Sequence, residues 1–416
     1  MARFAFGPGM ANYVYLDDIY DDAHLALTAK TASTMVFRDP SGAIIRLSGS
    51  GFKYNGSTPT AGTVTKVEFV DAAGIALVAV TQGSFDLYEL SLRLQGWTDA
   101  TTGQSREGSV YDLLSVLSRG NDAIHGTAAA EDFAIGTNYG DDRIFARGGD
   151  DYIRGGSGNN TINGGAGWDT LSYSDSLYDA PAVLQGIVLN AATGTVTNPW
   201  GGTDTISNIE DFVGTHLADR LTGSAADEQF MGLAGADTIN GGAGYDWLRY
   251  DSDRRYGGDN GIAANLTAGR IRDGFGHVDT VSGIEEVRGT IHNDRFIGSD
   301  KSDTFEGLAG KDFYDGKGGA DVFDFRAPEE AGIGASRDVI ANFSRAEGDR
   351  IDVGDMSAFD FKFRGTAAFS GDHPEVRYVH AGGNTIVAGD VDEDGKADFQ
   401  IELRGIIDLK AWDFIL

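Results

Sequence analysis

A nine-residue unit, G-G-x-G-x-D-x-U-x with U a large apolar residue, recurs fourteen times in this 416-residue chain. The clearest copies are Gly164-Gly165-Ala166-Gly167-Trp168-Asp169-Thr170-Leu171-Ser172 and Gly241-Gly242-Ala243-Gly244-Tyr245-Asp246-Trp247-Leu248-Arg249. Each unit ends in a short x-U-x strand with one inward side chain. One unit cannot bury that side chain alone, so neighbouring units must stack into a coil. The first run starts at Leu117 and Gly126, slips by two residues, and resumes at Thr137, Ala146, Gly155 and Gly164. The second starts at Gly214, Gly223, Gly232 and Gly241, and the third at Gly289, Gly298, Gly307 and Gly316.

The unit combines two chemistries. Its glycines, such as Gly155, Gly156 and Gly158, permit positive φ and close packing in a turn. Its sixth residue offers a hard carboxylate oxygen, and turn carbonyls offer more, a donor set that suits Ca²⁺. The candidate metal ligands in the three runs are Asp122, Asp142, Asp151, Asp169, Asp219, Asp237, Asp246, Asp294, Asp303, Asp312 and Asp321. The glycines of the best turns, Gly155, Gly156, Gly158, Gly164, Gly165, Gly167, Gly241, Gly242 and Gly244, join them as turn formers. Glu131, Asn160 and Glu228 depart from Asp, and the copies opening the second and third runs lack most glycines. Those units read as structural rungs without a full ligand set. A flexible glycine-rich linker has no reason to keep a carboxylate and an apolar residue two apart, in frame, run after run.

Composition narrows the partners. Lys and Arg number 33 against 63 Asp and Glu, a net charge of −30. Such a surface repels nucleic acid and anionic membrane, whereas divalent cations suit it. Cysteine is absent, which excludes disulfides and thiolate metal sites. The segment from Met1 to Gly9 lacks the basic start and apolar core of a classical signal peptide. No stretch is apolar for long enough to span a bilayer as a helix.

A larger repeat contains the small one. Gly186-Ile-Val-Leu-Asn190 parallels Gly261-Ile-Ala-Ala-Asn265, and Asp204-Thr-Ile-Ser-Asn-Ile-Glu210 parallels Asp279-Thr-Val-Ser-Gly-Ile-Glu285. The offset between these connectors is 75 residues throughout. A duplicated module, and one continuous elongated body in place of three independent domains, is the expectation.

Residues 1–116 read as a small β-rich module. Met35–Arg38, Ala43–Leu47 and Thr63–Val70 are strand-like, and Gly49-Ser-Gly51 and Asn55-Gly56 are turn signals. Helices are predicted over Ser84–Leu94 and Ser109–Leu117. Tyr13, Tyr15, Asp17, Asp18, Tyr20, Asp21, Asp22 and His24 form an aromatic-acidic cluster. An exposed strand and its loop explain it more simply than a glycan- or metal-binding edge.

The repeats resemble those of the RTX (repeats-in-toxin) calcium-binding family. That resemblance implies an all-β fold, a calcium-dependent parallel β-roll in which two units make one right-handed turn and calcium ions lie between turns. It also implies secretion, because weak extracellular calcium sites need roughly millimolar calcium. From Phe325 onward, Asp338-Val-Ile-Ala-Asn-Phe343, Gly348-Asp-Arg-Ile-Asp352, Gly389-Asp-Val-Asp-Glu-Asp-Gly395 and the end Asp413-Phe-Ile-Leu416 resemble the C-terminal domain of serralysin-type secreted metalloproteases. In that family this domain completes the roll and carries the type I secretion signal, which implies a type I exporter as a partner. The expected domains are therefore 1–116, the roll over 117–325, and a serralysin-like domain over 326–416. Asp390, Asp392, Asp394, Gly395 and Asp398 also fit an EF-hand-like loop, but Ile401 stands where the bidentate Glu should be. A looser calcium site and a plain acidic turn both stay open.

The serralysin zinc motif H-E-x-x-H is missing, as are a G-x-S-x-G elbow and any cysteine nucleophile. The expected function is that of a secreted, non-enzymatic calcium-binding protein acting at the cell surface or in the extracellular matrix, as in a surface layer, biofilm or adhesion. The partners are calcium ions, the exporter, and an extracellular polysaccharide or cell surface, with self-assembly left open. The alternative is a small polysaccharide-active enzyme with its site in residues 1–116, which activity assays on that module would separate.

Overall fold

The computed structural model describes residues 3–6, 25–56, 58–86, 90, 97–98, 105–106, 121–126, 128–130, 132–133, 140–174 and 183–416. The Tyr13–His24 cluster, the helix expected over Ser109–Leu117, and the starts of the copies at Leu117 and Thr137 lie outside these residues. The chain divides into two compact units, residues 1–185 with 193–212, and residues 186–192 with 213–416. The division runs through the first connector.

In the first unit, strands Ala26–Lys30, Thr34–Arg38, Ile44–Asn55, Thr58–Val70 and Ala76–Asp86 form an antiparallel meander. Alternation builds its core: Met35, Phe37, Ile45, Leu47, Val67, Phe69 and Val80 are all fully buried. The three expected strands lie inside this meander, and Asn55-Gly56 closes the hairpin between its two longest strands. Two expectations need correction. Gly49-Ser-Gly51 is an irregularity within a strand, not a turn; register slips on both sides of it, and a Cβ on Gly49 would lie 1.9 Å from the Thr63 carbonyl oxygen. Ser84–Asp86 end a strand, so the helix expected over Ser84–Leu94 does not open there, although Leu90 within it is helical. Arg3–Phe6 then joins the meander to the roll, pairing antiparallel with Ala76–Asp86 and parallel with Ala123–His125.

The roll follows from the position-eight residues. Ile144 stands opposite Ile162, Ile153 opposite Leu171, Leu221 opposite Ile239 and Phe230 opposite Leu248, each pair 18 residues apart in parallel register. Alternate units therefore stack in separate sheets, so two units make one turn. All eight side chains are at most 1% exposed. In the third run the same positions are aromatic, and Phe296 stacks on Tyr314 at a centroid distance of 5.1 Å. The protein is all-β, and this part of it is a parallel β-roll.

Each connector supplies a rung and an extra hairpin. Ile206 takes the place opposite Ile162, and Val281 the place opposite Ile239. Thr195–Thr197 and Arg270–Arg272 fold back antiparallel onto Thr203–Ser207 and Val278–Ser282.

Residues 326–416 complete both stacks of the second unit. Asp338–Ile340 lies parallel between Phe313–Asp315 and Phe399–Leu403, and Arg350–Asp352 lies parallel between Val322–Asp324 and Phe414–Ile415. The chain end is the last rung: Phe414 is buried, and Asp413 accepts a hydrogen bond from Arg345 Nε at 2.6 Å. Among the described residues no helix is long and apolar enough to cross a membrane.

Candidate metal centres

The position-six carboxylates form a ladder. Six of them present one oxygen to the backbone amide of the position-six residue one turn earlier, whereas Asp219 and Asp294, which open their runs, accept the connector amides of Ile187 and Ile262. Asp142 accepts from Asp122, Asp169 from Asp151, Asp237 from Asp219, Asp246 from Glu228, Asp312 from Asp294 and Asp321 from Asp303, at 2.7–3.0 Å. The residue at this position is thus buried and shared between two turns by its geometry, before any ion is considered.

The second oxygen turns back over its own unit. A Cβ on Gly164 would come within 2.3 Å of Asp169 Oδ2, and one on Gly241 within 2.6 Å of Asp246 Oδ2. Position one is glycine because the carboxylate occupies the side chain's place. The later glycines serve a different need: Gly165 and Gly167 hold φ of 117° and 137°, which other residues rarely adopt.

What that second oxygen meets separates the turns into two kinds. In Asp142, Asp169, Asp237, Asp246 and Asp312 the Oδ2 atom is buried without a hydrogen-bond donor. In the turns opening the second and third runs it is satisfied from within. Thr215 N–H donates to Asp219 Oδ2 at 2.7 Å, and its hydroxyl donates to Oδ1 at 3.0 Å. Thr290 treats Asp294 the same way, and Ser299 treats Asp303 likewise. A hydroxy residue at position two, Thr215, Thr290 or Ser299, closes the turn; Gly165, Leu233, Gly242 and Leu308 at the same position leave an oxygen over.

Burial raises the proton affinity of the open carboxylates. It lifts Asp142 to about 8, Asp237 to about 10 and Asp246 to about 6, with neighbouring negative charges adding to each rise. Asp312 is likewise pushed up by burial and then by Asp338. A buried anionic oxygen without a donor is costly, and a hard cation removes that cost. The donor set fits Ca²⁺, whose ligands are carboxylate and carbonyl oxygens.

The connectors extend the ladder through residues that a strict nine-residue frame misses. Asp204 accepts from the Asn160 amide, Glu210 from Asp169, Asp279 from Asp237 and Glu285 from Asp246. Asp338 and Asp349 continue it beyond the third run, accepting from Asp312 and Asp321. The available signal was the duplication itself, which repeats an acidic pair six residues apart at the 75-residue offset.

The loop over 390–398 brings three of its four expected aspartates together. Ligand atoms of Asp390, Asp392 and Asp398 lie within 4.8 Å of one another. Asp394 is paired with Lys396. Asp390 and Asp398 spend their oxygens on the amides of Gly395, Asp394, Val391 and Asp392, which is the bonding of an acidic turn. Ile401 is buried in the following strand.

The sequence model of the RTX calcium-binding nonapeptide repeat matches residues 137–172, 214–254 and 288–323. These three segments are RTX calcium-binding repeats. RTX repeats bind calcium, so the chain takes up several Ca²⁺ ions. The matches cover the three runs except the copies starting at Leu117 and Gly126. A search of curated proteins finds no match. Similar solved structures include the AlgE6R3 subunit from the Azotobacter vinelandii mannuronan C5-epimerase, 22% identical, covering 45% of this chain and 71% of that one, with a TM-score of 0.18. They also include the extracellular lipase LipA from Serratia marcescens, 15% identical, covering 71% of this chain and 38% of that one, with a TM-score of 0.15.

Proposed function

We propose that this RTX protein is a secreted, non-enzymatic, calcium-loaded scaffold that acts at the cell surface or in the extracellular matrix. The observation that carries the reading is the donorless second oxygen of Asp142, Asp169, Asp237, Asp246 and Asp312. These five are the strongest calcium ligands. Asp219, Asp294 and Asp303 are internally closed rungs, and Asp122, Asp151 and Asp321 are further ladder members of the same frame. When bound, calcium supplies the positive charge that balances these buried carboxylates. The residues themselves tie turn to turn through the amide ladder.

Low-affinity sites of this kind fill at extracellular calcium and stay empty at cytosolic levels. The charge of −30 opposes compaction of the unloaded chain. Both considerations favour folding after export. Residues 326–416, with their serralysin-like motifs, are the proposed signal for a type I exporter.

The test is to express the full chain, and a chain lacking residues 326–416, in a producing strain with a type I exporter. The full chain should appear uncleaved in the medium or on the cell surface, and the truncated chain should stay inside. A full chain confined to the cytoplasm, or a truncated chain exported as well, overturns the proposal.

A further inference from the structure

Three columns of parallel rungs end in the same way. The first climbs through Arg143–Gly148 and Thr161–Ala166 to Thr203–Ser207. The second climbs through Arg220–Thr222 and Thr238–Asn240 to Val278–Ser282. The third climbs through Arg295–Ile297 and Phe313–Asp315 to Asp338–Ile340. Their last ladder carboxylates are Asp204, Asp279 and Asp338, all fully buried. Each keeps one oxygen in the ladder: Oδ1 accepts the amide of Asn160, Asp237 or Asp312, at 2.8, 3.0 and 2.6 Å.

The second oxygen of each meets a phenol. Tyr173 OH donates to Asp204 Oδ2 at 2.6 Å, Tyr250 OH to Asp279 Oδ2 at 2.9 Å, and Tyr314 OH to Asp338 Oδ2 at a longer 3.4 Å. All three tyrosines are buried. They arrive by two routes. Tyr173 and Tyr250 lie two residues after the position-eight leucines Leu171 and Leu248, whereas Tyr314 is itself a position-eight residue. Two different placements in sequence thus put a hydroxyl on the same oxygen.

The strand beyond gives a reason. Asp204 stands opposite Val196, Asp279 opposite Ile271 and Asp338 opposite Ile401. All three neighbours are aliphatic and fully buried. Ca²⁺ gathers about six to eight oxygens, and an aliphatic side chain on the next strand adds none to that set. A buried anionic oxygen without a donor or a cation is costly. The phenol removes that cost from within the chain.

The column starts mirror the ends. Asp219 and Asp294, the first carboxylates of the second and third columns, are closed by the hydroxyls of Thr215 and Thr290. Between these hydroxyls and the tyrosines, Asp237 and Asp312 keep a donorless Oδ2. Each of these two columns therefore has hydroxyls at both ends and one open carboxylate between them.

We infer that Tyr173, Tyr250 and Tyr314 set where calcium binding stops: each hydroxyl holds, at the last carboxylate of its column, the oxygen that a cation takes at the open turns. The inference rests on the calcium reading of the nonapeptides and adds the residues that limit it.

The test uses the intact chain and calcium as the probe. Equilibrium dialysis against rising free calcium gives the ions bound per chain for wild type, Asp279→Asn and Asp246→Asn. Asp279→Asn should follow the wild-type curve, because asparagine can accept the Asp237 amide and donate to the Tyr250 oxygen. Asp246→Asn, at an open turn, should need more calcium. A curve for Asp279→Asn displaced to higher calcium, or one ion short at saturation, overturns the inference. Tyr250→Phe should melt lower than wild type at saturating calcium without binding a further ion. Its loss should shrink in the Asp279→Asn background, where no buried charge is left behind. A melting temperature equal to wild type, or the same loss in both backgrounds, also overturns it. If Asp279→Asn does not fold in saturating calcium, Asp204→Asn is read in the same way. Failure of both to fold overturns the inference, since the amide keeps both bonds on which it stands. A wild-type chain that binds no calcium contradicts the nonapeptide assignment itself, and the inference with it.

Discussion

Asp246 Oδ1 accepts the backbone amide of Glu228 across one turn of the roll at 3.0 Å, while its Oδ2 is buried without a donor. One carboxylate therefore has two separable duties, strapping two turns and offering a ligand. Asp246→Asn keeps an acceptor for the Glu228 amide and loses the charge. It should raise the calcium midpoint of folding and leave the saturated melting temperature near wild type. Asp246→Ala loses both duties, exposing the Glu228 amide to an unmet hydrogen bond worth about 1–3 kcal/mol, and should lower both. Leu248→Ala should cost about 2–5 kcal/mol at every calcium concentration, because Leu248 is fully buried opposite Phe230. Melting temperatures at low and saturating calcium check all three. An unchanged calcium midpoint in Asp246→Asn would mean that this turn holds no ion.

Protons should compete with calcium. Burial raises Asp142 from an ordinary 3.8 to about 8, and Asp246 to about 6. The calcium-free fold therefore binds more protons than the unfolded chain does. Its contribution from Asp142 is fully present below pH 3.8 and is lost as pH rises through about 8. Far-UV circular dichroism in chelator should show more β structure at pH 5 than at pH 8. The calcium midpoint, measured at fixed pH, should move to higher calcium as pH falls from 7 to 5. A calcium-free β signal that grows with rising pH would reverse the assigned sign.

Much of this was legible in the sequence, and the rest was hidden for physical reasons. Position eight was readable because an inward residue every nine positions can only be a rung, as Ile162 and Leu248 are. Asp169 and Asp246 were readable because they keep the same frame. Asp204, Glu210, Asp279 and Glu285 were not, because each connector inserts a hairpin and re-enters the ladder out of frame. The glycines of Gly49-Ser-Gly51 misled for the opposite reason: a glycine needed for close strand approach at Thr63 looks the same in sequence as one needed for a turn.

Gly164→Ala tests the close approach. Its Cβ would meet Asn208 O at 2.1 Å and Asp169 Oδ2 at 2.3 Å. Forced repacking of this kind costs about 1–3 kcal/mol. The variant should melt lower and need more calcium, because the displaced oxygen is the proposed ligand. Gly354→Ala is the control, since its nearest neighbour is 3.4 Å away and its backbone does not need positive φ. Equal behaviour of the two variants would remove the steric explanation for glycine at position one.

The chain end should stabilise the last turn. Phe414 stands opposite Ile351, and Asp413 is tied to Arg345 and to the Lys410 amide. Deleting residues 413–416 should uncover Ile351, lower the melting temperature at saturating calcium, and raise hydrogen exchange in strand Arg350–Asp352 before exchange rises in the second run. Unchanged exchange at Ile351 would show that the terminal rung contributes nothing.

Cations complete this roll, since the carboxylate ladder leaves buried oxygens, such as Asp237 Oδ2 and Asp246 Oδ2, that have no hydrogen-bond donor. The most direct measurement is the far-UV circular dichroism of the intact protein in excess chelator at pH 8, followed by return to millimolar calcium. The β signal should be weak in chelator and show a large, reversible gain on adding calcium, because binding to sites absent from the unfolded chain becomes folding energy. A chain with its full β signal and a cooperative melt in excess chelator would contradict it.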